Sequence, residues 1–173
     1  MVERSRVDMS YDLNILVQNQ EEPSVLPFPS LIQMMNEKDD EIARYHSIWR
    51  YMTQSKGIWY SLVKERNGML NAFPICDSKF EADEGSIEIP YWVTNDSIKY
   101  NLTPLIIYEE YRRDFEKIIK FLIKQSPNRI VMFLACYQGG EHEIVCGILK
   151  YKEFTKLLSQ SKILFNVCYI ISD

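Results

Sequence analysis

Glycine, proline and histidine are all scarce in this chain: 6, 7 and 2 of 173 residues. So few glycines leave no G-x-G-x-x-G, no P-loop and no G-x-S-x-G elbow, because those backbones need glycine to approach a phosphate or to turn sharply. Two histidines, His46 and His142, stand too far apart for an H-E-x-x-H pair. No stretch of about 18 apolar residues exists, so no helical membrane span is expected. The first residues, MVERSRVDMSYDLN, lack the apolar h-region of a secretory leader. The expectation is a cytoplasmic protein whose four cysteines are reduced. Positive charge is short too, with 20 Lys and Arg against 24 Asp and Glu, a net charge of -4 and a pI near 5.3. Nucleic-acid binders concentrate Lys and Arg on one face, so no nucleic-acid partner is expected. No motif implies a cofactor or a metal.

What is present is globular: 46% hydrophobic and 13% aromatic residues. A chain of this length buries roughly 70% of the surface it exposes when unfolded, enough for one domain over residues 1–173. Residues 1–30 read as a lead-in whose order the sequence leaves open. Within it, Asp12–Val17 (DLNILV) is a candidate strand, while Pro23, Pro27 and Pro29 exclude a continuous helix. Ser30 is a candidate N-cap. Beyond it Leu31, Met34, Met35, Ile42, Tyr45, Ile48, Trp49 and Met52 recur at helical spacing, which predicts one helix or two broken at EKDDE. Lys56–Lys64 (KGIWYSLVK) leans to strand on its β-branched and aromatic content. Asn67-Gly68 marks a turn, Ala72–Gly85 an acidic loop, and Ser86–Thr94 a strand that Pro90 confines to an edge or bulge.

Residues 103–172 give the clearest pattern. Thr103 and Pro104 suit a helix start, and Ile107, Tyr111, Phe115, Ile118, Ile119, Leu122 and Ile123 share one stripe. RIVMFLACY and HEIVCGIL then read as strands, YKEFTKLLSQ as a short amphipathic helix and ILFNVCYII as a last strand. The helix-strand-strand-helix-strand order predicts an α+β fold, a mostly antiparallel sheet with helices packed on it.

CYQGGEHEIVC, residues Cys136 to Cys146, packs two cysteines, one histidine and two glutamates into a short space. A Gly-Gly loop is a favoured hairpin turn, and the hairpin it would make sends Cys136 and Cys146 to opposite faces. They then share neither a metal nor a disulfide, and the spacing is not that of a zinc site. Cys136 and Cys168 read as small buried hydrophobes. Cys76, after Pro74 in a loop, reads as the most accessible thiol. An enzyme pairing Cys76 or Cys136 with His142 or His46 is the alternative to a non-catalytic protein.

Two features point to binding. Acidic runs occur at Glu37–Glu41 (EKDDE) and Glu81–Glu84 (EADE), and aromatics are dense between residues 45 and 92. Such runs usually form solvated surface and such aromatics usually form core. Read as an interface, they make Glu37, Asp39, Asp40, Glu41, Glu81, Asp83 and Glu84 steering charges around Trp49, Trp59 and Trp92 as anchors.

The segments TPLIIYEEYRRDFEKIIKFLIKQSP, RIVMFLACYQGGEHEIVCGIL and KEFTKLLSQSKILFNVCYIIS together resemble small proteins of low-GC Firmicutes that sit among the immunity proteins of polymorphic-toxin systems. The resemblance covers roughly Thr103 to Ser172 and supplies no catalytic residues. It implies a non-enzymatic protein that binds and blocks a cognate toxin, acidic and cytoplasmic with an α+β fold. The acidic runs make the expected toxin a basic protein, and the chain is expected as a monomer or homodimer. A self-associating regulatory module is a third reading.

Overall fold

In the computed structural model, the described residues are 11–37, 56–77, 103–137 and 144–173. They form nine strands and two longer helices: β1 (Tyr11–Gln18), β2 (Gln33–Glu37), β3 (Gly57–Arg66), β4 (Met69–Asn71), β5 (Cys76–Asp77), β6 (Ile106–Ile107), α1 (Glu109–Gln125), β7 (Ile130–Tyr137), β8 (Ile144–Lys150), α2 (Tyr151–Ser159) and β9 (Val167–Ser172). The main sheet runs β2-β3-β1-β7-β9-β8, with β4 added to β3. Every pairing is antiparallel except β8 with β9. The α+β class expected from the pattern is what the chain adopts.

The strands at Asp12–Val17 and Lys56–Lys64 are present, and each residue pattern explains its place. In β1 nearly every residue is buried on both faces, as befits a strand between β3 and β7. In β3 Ile58, Tyr60 and Leu62 are buried, while Trp59, Ser61 and Val63 between them are half-buried. That is the period-two signature of a sheet with unlike faces. Asn67 and Gly68 both take positive φ, 54° and 76°, the requirement of a tight type I′ hairpin joining β3 to β4.

Three expectations are corrected. First, Leu31, Met34 and Met35 do not begin a helix: residues Gln33–Glu37 are strand, paired residue by residue with Val63 to Trp59. Short apolar runs satisfy both periods, and here pairing with β3 decides between them. Ser30 caps no helix; its hydroxyl donates to Asp114 of α1 at 3.2 Å. Second, α1 starts at Glu109, not near Thr103. Pro104 forms an isolated bridge with Leu164, and Ile106–Ile107 pairs with Asp77 and Cys76. Pro104 lacks the N–H that a longer ladder would need, and buried Leu105 and Ile107 flank exposed Ile106 in strand alternation. Third, β7 and β8 do not form a hairpin. β9 lies between them, antiparallel to β7 and parallel to β8. Val167, Cys168, Tyr169 and Ile171 are buried on both faces, so β9 belongs inside a sheet. β8 shifts register between Cys146 and Ile148, where Gly147 stands, and carries exposed Ile148 and Lys150, which suits an outer position. α2 is the crossover that a parallel pair requires.

Both helices cover one face of the sheet. Phe115 of α1, Phe154 of α2 and Phe133 of β7 meet there at centroid separations of 5.4–6.5 Å, with Tyr169 6.0 Å from Phe154. The proline-bearing connection 19–32 runs along the other flank of α1. Tyr60, fully buried, donates its hydroxyl to Gln20 Oε1 at 2.6 Å and accepts from the Ser24 N–H at 2.8 Å. Phe28 meets Phe121 edge-on, and Asp114 accepts the Leu31 N–H at 2.7 Å. The opposite face has its own cluster: Leu16, Leu134, Cys136 and Cys168 are buried, with Trp59 and Met132 packed against them. Among the described residues no helix contributes to that cluster.

Candidate interaction surface

Cys76 does not lie on an accessible loop. It sits in β5 at 1% exposure, its Sγ 3.6 Å from the Ala72 carbonyl. Burial, and then the neighbouring Asp77 carboxylate, push its thiol up to about 12. The 3-10 turn at Phe73–Ile75 folds this segment inward, which Pro74 alone did not disclose. Cys136 is buried on the second face of β7, and burial followed by Asp12 pushes it up to about 12 as well. A nucleophilic thiol needs the opposite shift. His46 and His142 lie outside the described residues. Among the described residues no group of three or more His, Cys, Asp or Glu could hold a metal ion.

The second sheet face carries an apolar band made by register. Trp59 pairs with Leu16, Leu16 with Met132, Met132 with Ile170, and Ile170 with Ile148. Its neighbouring row is more polar near the β2 end, where Ser61 pairs with Asn14 and donates its hydroxyl to Asn14 Oδ1 at 2.8 Å. At the β2 end Trp59 also pairs with Glu37, and Met35, exposed, pairs with Ser61. Trp59 is half-buried against the Leu16 cluster. The structure thus brings together two of the residues expected to bind a partner, Glu37 and Trp59. Asp39, Asp40, Glu41, Trp49, Glu81, Asp83, Glu84 and Trp92 lie outside the described residues. Met35, which shares this face with Val63, is hidden by the helical reading of the stretch after Ser30.

Strand alternation also sorts the charges. Asp12 and Glu65 occupy the parity of Trp59 and Leu16, whereas Lys64 and Arg66 occupy the other. The helical side carries both signs: Arg113, Lys117, Lys120 and Lys124 line the exposed ridge of α1, with Lys152 and Lys156 on α2, and Glu21 and Glu22 stand exposed on the connection beside them. Lys117 and Lys120 sit over the rings of Phe28 and Tyr151, at 5.9 and 5.7 Å. Acids are interspersed with them, Glu109 and Glu110 exposed in the first turn of α1. Asp114 holds Ser30 and Leu31, and Glu153 accepts the Lys150 N–H at 2.8 Å. Glu116 is half-buried, its carboxyl raised by burial and partly offset by Arg112.

No family model, no curated protein and no solved structure matches the chain. No described helix is long and apolar enough to cross a membrane.

Proposed function

We propose that this chain is a non-enzymatic, immunity-like protein of the cytoplasm that occludes a basic partner, a cognate bacterial toxin. The observation that carries the reading is the direct pairing of Glu37, where the acidic run EKDDE begins, with Trp59 on the sheet face away from the helices. A tryptophan in register with the first residue of an acidic run fits an interface anchor with a steering rim. Asp39, Asp40, Glu41, Glu81, Asp83 and Glu84 add to that rim in this reading, and Trp49 and Trp92 are further anchors. Nucleophilic chemistry at Cys76 or Cys136 receives no support from thiols that burial holds protonated.

The test is affinity capture from the source bacterium at low and at high ionic strength, followed by a growth assay. One basic protein, released by salt and toxic unless this chain is co-expressed, is the expected result. A captured partner that inhibits growth equally with and without the chain would overturn the proposal, as would the absence of any salt-released basic partner.

A further inference from the structure

The hairpin joining β3 to β4 carries the one Asn-Gly step of the sequence, Asn67-Gly68. We propose that Asn67 is a site of spontaneous deamidation, converted with water as co-reactant to a mixture of aspartate and isoaspartate. The Gly68 nitrogen gives its proton to solvent base and attacks Cγ of Asn67. The new N–Cγ bond closes a five-membered imide. The Cγ–Nδ2 bond breaks, and the nitrogen leaves as ammonia with a proton returned by solvent. Water then opens the imide at one carbonyl or the other. Opening at Cγ gives aspartate with the main chain as it was. Opening at the main-chain carbonyl gives isoaspartate, whose main chain runs through Cβ and Cγ. The net exchange is one water taken up for one ammonia released, with nothing oxidised or reduced.

The attacking and the attacked groups are both free. The ladder closes at Arg66 and Met69 and leaves the two turn residues outside it. Neither the Asn67 carboxamide nor the Gly68 N–H has a hydrogen-bond partner among the described residues. Both residues are exposed, and Met69 after them is 66% exposed, so solvent base and water reach the tip. The space in which the ring forms is empty, since a Cβ at Gly68 would meet no atom within 4 Å. Glycine also removes the side chain that would crowd the attack, and it rotates where other residues are hindered. The peptide between Asn67 and Gly68 must swing to bring the nitrogen onto Cγ. A tip with exposed backbone and no hydrogen bond of its own is where such local opening costs least. None of the other described asparagines precedes glycine. Asn14 and Asn166 are buried before the β-branched Ile15 and Val167, and the Asn128 carboxamide is held between Ser126 and Gln18. Either product adds one negative charge to a chain of net charge -4. Isoaspartate also lengthens a two-residue turn, and that turn sets the register of Lys64 with Asn71, Glu65 with Leu70 and Arg66 with Met69. β4 then loses its alignment on β3.

The test ages the full folded chain in warm buffers of neutral to mildly alkaline pH. Asparagine-bearing peptides are mapped by mass spectrometry, and isoaspartate is read by methyl transfer from S-adenosylmethionine under a protein isoaspartyl methyltransferase. The expected result is conversion at Asn67 ahead of every other asparagine, at a rate rising in proportion to hydroxide, with both isomers present. Ion exchange should resolve the product as a more acidic species. Asn67→Gln should abolish that species, because the larger imide closes far more slowly, and Gly68→Ala should slow its formation several-fold. Urea transitions of each variant confirm that it is folded. In the purified isoaspartyl form, the amides of Met69, Leu70 and Asn71 should exchange faster while those of β1 and β7 do not. An Asn67 that stays intact in the folded chain while it converts in urea would overturn the site, since the hairpin would then shield it. Conversion led by another asparagine would overturn it equally. Unchanged exchange in β4 of the isoaspartyl form would overturn the effect on register.

Discussion

Tyr60→Phe is the sharpest probe of how the proline-bearing connection is held. The ring of Tyr60 is fully buried on the helical face of β3, and phenylalanine keeps that ring, so no cavity opens. What is lost is the hydroxyl that donates to Gln20 Oε1 at 2.6 Å and accepts from the Ser24 N–H at 2.8 Å. Each hydrogen bond is worth about 0.5–1.5 kcal/mol net, and a donor left without a partner costs more than one that rehydrates. Both bonds are only partly buried, so water recovers some of that cost. The expected loss is about 2 kcal/mol, or ~4–8 °C in Tm for a chain of this size. Urea unfolding should show a lower midpoint at unchanged slope. Hydrogen exchange should show the Ser24 amide losing protection while the amides of β1 and β7 lose no more than the global amount. A loss below about 0.5 kcal/mol with Ser24 still protected would refute the view that this phenol anchors the connection.

Three further perturbations test other parts of the fold. A Cβ added at Gly57 would stand 2.2 Å from the Val17 carbonyl oxygen, a backbone atom that cannot step aside, so Gly57→Ala should destabilise by about 2–3 kcal/mol and weaken β1–β3 pairing, measured by urea unfolding and by exchange of the Gln18 amide. Phe154→Ala removes a fully buried ring that meets Phe115, Phe133 and Tyr169 and should cost about 3–5 kcal/mol, whereas Lys152→Ala on the exposed side of α2 should stay within about 0.5 kcal/mol in the same unfolding assay. Cys76 and Cys136 ordinarily ionise near 9.0 and are held up to about 12 in the fold, so the folded chain favours their protonated form. Their contribution is complete below pH 9.0 and is lost as pH rises towards 12, at about 1.4 kcal/mol per thiol per pH unit. Urea midpoints measured across pH 9.0 should fall accordingly, and a Cys76→Ala/Cys136→Ala chain should show a shallower alkaline decline.

The legible parts of this fold were those where one period dominates. The stripe Tyr111 to Ile123 fits only a helix, whereas Lys56–Lys64 only leaned to strand on its β-branched and aromatic content, and pairing with β1 and β2 decides it. The illegible parts were decided by partners distant in sequence. Gln33–Glu37 is strand because Val63 to Trp59 lie beside it, and nothing within QMMNE says so. Gly139-Gly140 satisfies the local rule for a hairpin, yet β9 is the strand that pairs with that edge of β7. The candidate surface suffered the same way. Glu37 and Trp59 were each visible as residue types, but their pairing follows from a strand assignment that local pattern opposed. The burial of Cys76 was equally hidden, since it depends on β6 arriving from residues 106–107.

The insertion of β9 between β7 and β8 also dictates an order of events in time. A nascent β7 has no local hairpin to close with β8, and its first partner in the sequence, β1, lies more than a hundred residues behind it, as Tyr11 against Tyr137 shows. β8 and α2 are synthesised before the strand that joins β8 to the sheet. Until Val167–Ser172 is available, the apolar edge of β7 and the inner edge of β8 both wait unpaired. Such long-range pairings make folding slow and leave open strand edges for other chains to find. The time those edges stand open to other chains is therefore the time it takes one late strand to slide between them.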